Sequence, residues 1–276
     1  MLNVLNTQLF RLKKSKLFWA MLIVCAALPL VGMILTTGFL KILSNAFDGE
    51  ASSLIELFGE GGHMTLSVLG GLIGIGSNPA LFSVICSSIF LSGEFSGGAI
   101  RNMIIANKTR TQIFLSFFSI ALIIGFSCFG ASYLSCLTCY GLVFGFKGVT
   151  VSAAVSGCFS VLFLGLLSIA LIQACVCMFL FCTRKTGATV AFPLLILILA
   201  PSIITTVVSL AVGLKAVVGQ YVSEAALSWI PIYNMDMFDA ANVSGGLIGK
   251  IVLYNLPLAA LFAFLGWLTI SKADLK

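Results

Sequence analysis

The chain has 276 residues, of which 60% are apolar and 9% charged, with a mean hydropathy of +1.15. Soluble domains average about 45–50% apolar and about 25% charged. So little polar surface excludes a cytosolic enzyme, a disordered protein and a coiled coil, and leaves an integral membrane protein.

A helix needs about 20 residues to cross the roughly 30 Å of hydrocarbon, so uncharged windows locate the crossings. The N-terminal stretch carries Arg11, Lys13, Lys14 and Lys16, and an apolar run follows over 17–40. That run has no small-residue cleavage site and reads as a retained signal anchor; its core, 18–40, is span one. Residues 41–63 are wetter, with Asp48, Glu50, Glu56, Glu60 and His63. Span two covers 67–92. It contains Gly70, Gly71, Gly74, Gly76, Asn78 and Pro79, so a bend or broken helix is expected there. Span three covers 112–136, span four 155–181, span five 188–212 and span six 251–271. Arg184 and Lys185 connect spans four and five, and a longer segment with Lys215, Glu224, Asp236 and Asp239 precedes the last span. No repeat or linker divides the chain, which reads as one domain, 1–276.

Charge orients the spans. The N-terminus, the 94–110 segment, the 184–185 pair and the tail hold eleven of the fifteen Lys and Arg residues but only Glu94 and Asp274 of the nine acids. The opposite side holds Lys41, Lys147, Lys215, Lys250 and the other seven acids. Basic residues stay on the cytoplasmic side, so six spans with both termini cytoplasmic are expected.

Two basic segments stand out. Leu2, Leu5, Leu9 and Leu12 fall on one face of a helix that ends in Arg11, Lys13 and Lys14. Such a basic amphipathic helix lies in the membrane interface. The loop Gly-Glu-Phe-Ser-Gly-Gly-Ala-Ile-Arg-Asn-Met-Ile-Ile, which starts at Gly93, places Ile100, Met103 and Ile104 on one helical face among Arg101, Asn102 and Lys108. That pattern fits a docking element for a soluble partner and equally a connector lying on headgroups.

The loop resembles the first cytoplasmic loop of type-two ABC transporter permeases. There a Glu closes span two and is followed by a small residue pair, a short coupling helix and an Arg. Glu94, Gly98, Arg101 and Arg110 match, and Ala99 stands where threonine is commoner. The six spans, the amphipathic N-terminal helix and the long segment before the last span match as well. The resemblance implies an all-α export permease in a bacterial cytoplasmic membrane, acting as a dimer of two copies or with a sibling permease. Its coupling residues would be Glu94, Gly98, Ile100, Arg101, Met103, Ile104 and Arg110. It also implies ATPase subunits docked on that loop, and short re-entrant helices near Trp229, Pro231, Tyr233, Asp236 and Asp239.

Other chemistry is sparse. Ser96-Gly97-Gly98 echoes the ABC ATPase signature, but no Gly-rich stretch ends in Gly-Lys-Ser/Thr, so no phosphate-cradling loop is present. The chain is therefore expected to be no enzyme, with no cofactor of its own, no metal and no nucleic acid partner; ATP with magnesium is expected on the partner subunit. Cys136 and Cys139 form a lone Cys-x-x-Cys without a second pair or nearby His, and read as small hydrophobes, as do Cys175 and Cys177. His63 reads as a surface residue. No span contains Asp, Glu, Lys, Arg or His, which disfavours a proton-relay carrier and suits amphipathic or apolar cargo such as a peptide, drug or lipid. Gln173 and Asn255 are expected to hydrogen-bond between helices or line a pathway. Gly70 and Gly74, Gly141 and Gly145, and Gly245 and Gly249 recur at four-residue spacing, a pattern that fits tight packing or a subunit contact, though among 27 glycines several such pairs arise by chance. The alternatives are a stand-alone carrier or channel, which needs no ATPase, and an accessory membrane subunit that moves nothing.

Overall fold

The computed structural model describes residues 2–46, 61–73, 77–96, 103, 109–183, 185–196, 240 and 245–272. The regular structure among them is all helical, with no strand. The helices are α1 (Leu2–Lys14), α2 (Lys16–Ala46), α3 (Gly61–Gly70), α4 (Asn78–Ser96), α5 (Arg110–Val143), α6 (Val151–Thr183), α7 (Thr186–Leu194) and α8 (Gly245–Lys272). Four of them are long and apolar enough to cross a bilayer: α2 over Lys16–Phe39, α5, α6 and α8. They enclose spans one, three, four and six of the sequence reading. Where span two was expected, over 67–92, the described residues form two helices, α3 and α4, on either side of Gly71. Of the fifth, only its first residues, in α7, lie within the described part.

The ends sort by charge. The starts of α2, α5 and α7 and the ends of α4, α6 and α8 share the end that carries Arg11, Glu94 and Arg110; we refer to it as the basic end. α5 and α6 form an antiparallel hairpin around the 144–150 turn, where Gly145 (φ 68°) and Gly148 (φ 87°) take left-handed conformations that glycine adopts without strain. α3 is seated on this turn: Gly62 N donates to Lys147 O at 3.0 Å and Thr65 Oγ1 to Gly145 O at 3.0 Å. α6 is the central helix, buried on every side from Leu171 to Cys177. That is why Cys175 and Cys177 are both buried although their spacing sets them on different faces. Large apolar side chains on the outer faces, such as Ile23, Ile34, Leu35, Phe163, Leu253 and Phe264, are more than half exposed. Water would not tolerate so broad an apolar surface, whereas lipid solvates it.

α2 and α5 run parallel. Cys25 lies beside Ser132 and Gly32 beside Tyr140. Ser132 is 22 residues beyond the start of α5, but Cys25 is only nine beyond the start of α2. At 1.5 Å per residue, α5 therefore projects about 20 Å past the foot of α2.

Proline placement explains two interhelical contacts. Pro29 in α2 lacks the N–H that would bond Cys25 O four residues back. Ser132 Oγ of α5 donates to that carbonyl at 2.9 Å. Pro193 in α7 frees Thr189 O in the same way, and Ser88 Oγ of α4 donates to it at 3.0 Å.

Close helix contacts within the chain lie mostly at other glycines. A Cβ on Gly245 or Gly249 would meet nothing within 4 Å, one on Gly141 would make only an ordinary contact with Phe146, and Gly145 belongs to the turn. Gly74 lies outside the described residues. Tight sites among the described residues include Gly62, Gly125, Gly157, Gly165 and Gly266. Gly165 of α6 faces the Phe129 ring of α5, Gly157 faces Ala240 O, and a Cβ on Gly266 of α8 would lie 3.2 Å from the Met178 Cα. Within the chain, tightness follows the bulk of the partner at the crossing rather than four-residue spacing.

Candidate functional site

The basic end gathers the residues singled out in the sequence. Among its leucines, Leu12 is 2% exposed, and Leu5 and Leu9 pack against the same buried cluster as Phe18, Phe117 and Phe181. Leu5, Leu9 and Leu12 of α1 are thus turned toward the protein, while the side chain of Leu2 lies outside the described residues. Phe10 stays exposed, with Lys14 Nζ 4.4 Å above its ring, an exposed cation–π contact. Lys13 is exposed, and its carbonyl accepts from Trp19 Nε1 at 2.8 Å, which ties the α1–α2 elbow together.

Arg11 and Glu94, assigned separately from sequence, form one ion pair. Arg11 Nη1 lies 2.7 Å from Glu94 Oε2; the Glu94 side chain is 11% exposed and that of Arg11 54%. The neighbouring Phe95 sits edge-on to Phe117 at 5.6 Å and to Phe181 at 5.4 Å between ring centroids. Offset and edge-to-face contacts of this kind stabilise beyond their buried area. The last turn of α4 is thus fixed to α1 by charge and to α5 and α6 by aromatic packing.

Arg110 opens α5 behind the N-cap Thr109, whose side chain accepts from Gln112 N. Arg110 Nη1 donates to Ser271 O at 2.6 Å and to Ile270 O at 3.3 Å. A cation on the last carbonyls of a helix complements its dipole, so Arg110 clasps the end of α8. Trp267 Nε1 adds a bond to Thr111 Oγ1 at 3.2 Å. Neither Trp267 nor Thr111 was prominent in the sequence, since their partnership spans 156 residues.

Met103 is half-buried and packs on the same cluster. One member of the apolar stripe therefore faces this chain's own bundle. Gly98, Ile100, Arg101 and Ile104 lie outside the described residues, as do Trp229, Pro231, Tyr233, Asp236 and Asp239 of the outer segment.

Elsewhere, His63 is exposed. Cys136 is buried and Cys139 partly so, both as free thiols. Gln173 is fully buried against Gly125, and neither of its amide atoms has a partner among the described residues; the expected interhelical bond is absent there. Asn255 is fully buried on α8. Two cavities lie away from the basic end. One of about 690 Å³ between α5 and α6 is lined by apolar groups such as Leu137, Phe146, Val155 and Phe159. The other, of about 320 Å³, lies at the α3–α4 interruption.

Nothing among known protein families, curated proteins or solved structures matches the chain.

Proposed function

We propose that the chain is the membrane-spanning permease subunit of an ATP-driven exporter. It crosses the bilayer six times, with α3 and α4 as a broken second span and α7 opening the fifth, and both ends face the cytoplasm of a bacterial cell. Two copies, or one copy and a sibling permease, form the pathway. Separate ATPase subunits bind ATP with magnesium and dock against residues 94–110.

The Arg11–Glu94 pair carries this reading. It joins the amphipathic helix to the last turn of α4, immediately before the segment that resembles a coupling loop. With Arg110 holding the end of α8, four elements meet around that loop, so a force applied there reaches α1, α4, α5 and α8 together. Coupling requires contacts that differ between two states, and this junction is where nucleotide-driven closure would act. A pathway without charged residues suits amphipathic or apolar cargo.

The test is purification from the native membrane. An ATPase bearing a Gly-Lys-Ser/Thr phosphate loop should co-purify with the chain. Replacing Arg101 with Glu and Ile100 and Ile104 with Asp should release it. Flux in liposomes from the chain alone would overturn the proposal in favour of a stand-alone carrier. An ATPase-free assembly without flux would overturn it in favour of an accessory subunit.

A further inference from the structure

The end of α1 and the start of α2 form an elbow in which four of six consecutive residues, Arg11, Lys13, Lys14 and Lys16, are cationic. Arg11 is engaged by Glu94, which is the only carboxylate among the described residues. Lys13, Lys14 and Lys16 are all exposed, and no described carboxylate pairs with them. Like charges this close repel one another, so an anion from outside the chain is attracted by all three.

Side-chain contacts hold the elbow in one shape. Trp19 Nε1 donates to Lys13 O at 2.8 Å, which lays the indole across the junction. Phe18 packs edge-on to it, with 5.8 Å between ring centroids. Lys14 Nζ stands 4.4 Å above the Phe10 ring. Phe10 and Trp19 are nevertheless both more than half exposed. Phe10 is turned away from Leu5, Leu9 and Leu12, which pack into the protein. An interfacial tryptophan has an apolar ring and a polar N–H to satisfy. Here the N–H is satisfied within the chain, so Trp19 offers its ring outward.

Depth decides what covers this surface. Lys16 opens the apolar stretch that runs to Phe39 and is long enough to cross a bilayer. The lysines therefore stand where hydrocarbon gives way to headgroups. A soluble anion would satisfy the lysines and leave both rings uncovered, and an uncharged lipid would cover the rings and leave the lysines without counter-charge. Negative charge and alkyl chain side by side are the chemistry of an anionic phospholipid.

We propose that the α1–α2 elbow binds an anionic phospholipid, with its headgroup on Lys13, Lys14 and Lys16 and its acyl chain against Phe10 and Trp19. The lipid braces the outer face of α1, whose inner face is held by its leucines and by the Arg11–Glu94 pair. This binding does not depend on the permease reading.

The experiment reads Trp19 fluorescence from the full chain in phosphatidylcholine vesicles. Trp229→Phe and Trp267→Phe leave Trp19 as the one tryptophan. Brominated phosphatidylglycerol and brominated phosphatidylcholine are compared as quenchers at equal mole fraction. Phosphatidylglycerol should associate with Trp19 at least about fivefold more strongly, the effect of one well-placed lysine. Lys14→Gln with Lys16→Gln should remove most of that preference. Lys185→Gln with Lys272→Gln takes the same charge from exposed positions at the same end and should leave it intact. If the elbow variant does not fold, about 1 M sodium chloride, where screening acts over roughly 3 Å, should abolish the preference in the unsubstituted elbow. An excess of inorganic phosphate should displace no phosphatidylglycerol. Equal quenching by the two lipids, equal losses in the two double variants, or a preference that survives the salt would each overturn the proposal. Displacement by phosphate would assign the lysines to a soluble anion and overturn it as well.

Discussion

Ser132 supplies the hydrogen bond that Pro29 removes: its hydroxyl donates at 2.9 Å to Cys25 O, the carbonyl left free four residues before the proline. The bond joins α2 to α5 at a depth where no water substitutes for it. Ser132→Ala should cost about 1 kcal/mol, in the range of interhelical bonds in membranes. In a Pro29→Ala background the helix regains its own N–H donor, and Ser132→Ala should then cost nothing. Unfolding titrations in mixed micelles measure the cycle, and additive effects would refute the pairing.

The two partners of the Arg11–Glu94 pair are unequally exposed, at 54% and 11%. Arg11→Met strands a largely covered carboxylate, whereas Glu94→Gln leaves an arginine that water can solvate. The first should cost about 1–2 kcal/mol and the second less than about 1 kcal/mol. The exchange Arg11→Glu with Glu94→Arg should recover part of the loss. Equal costs in the same titration would show that the burial asymmetry has no energetic weight.

Gly165 faces the fully buried Phe129 ring, so Gly165→Ala must displace an aromatic in a packed core. Overpacking of this kind costs about 1–3 kcal/mol, and Phe129→Leu in the same chain should relieve most of it. Gly249→Ala, at a site with nothing within 4 Å, should be neutral or slightly stabilising through helix propensity. Thermal unfolding of the three variants compares them directly.

Gln173 buries an amide with no partner among the described residues. Burying such a group costs about 1–3 kcal/mol. Gln173→Met keeps the volume and removes the polar atoms, and should raise stability by about 1 kcal/mol. A loss instead, read as a lower midpoint in the unfolding titration, would mean that the native amide is hydrogen-bonded.

Composition and charge-free windows located the four helices long and apolar enough to cross a bilayer, because a bilayer imposes one length scale on every crossing helix. The break between α3 and α4 was legible too, since Gly70, Gly71 and Pro79 are local breakers. Contacts between helices were not. Arg11 and Glu94 are 83 positions apart, and nothing in either neighbourhood names the other. The leucine stripe of α1 was visible as a stripe, but whether it faces lipid or protein depends on Phe117 and Phe181, far along the chain. Ser132 and Ser88 looked like two of many small polar residues; only the prolines opposite them give them a task. Glycine spacing could not locate the tight sites within the chain for a related reason: Gly165 is tight because of Phe129, and Gly249 has nothing of this chain within 4 Å.

The overhang of α5 beyond the foot of α2 makes this helix a lever. Gly125, with Ile169 and Gln173 pressed against it, is the natural fulcrum, and Arg110 lies 15 residues below it, about 22 Å along the axis. A tilt of about 5° at the fulcrum would swing Arg110, and the end of α8 it grips, through roughly 2 Å. Small strokes delivered at the foot would thus be geared directly into the packing of the upper bundle, without any helix having to bend.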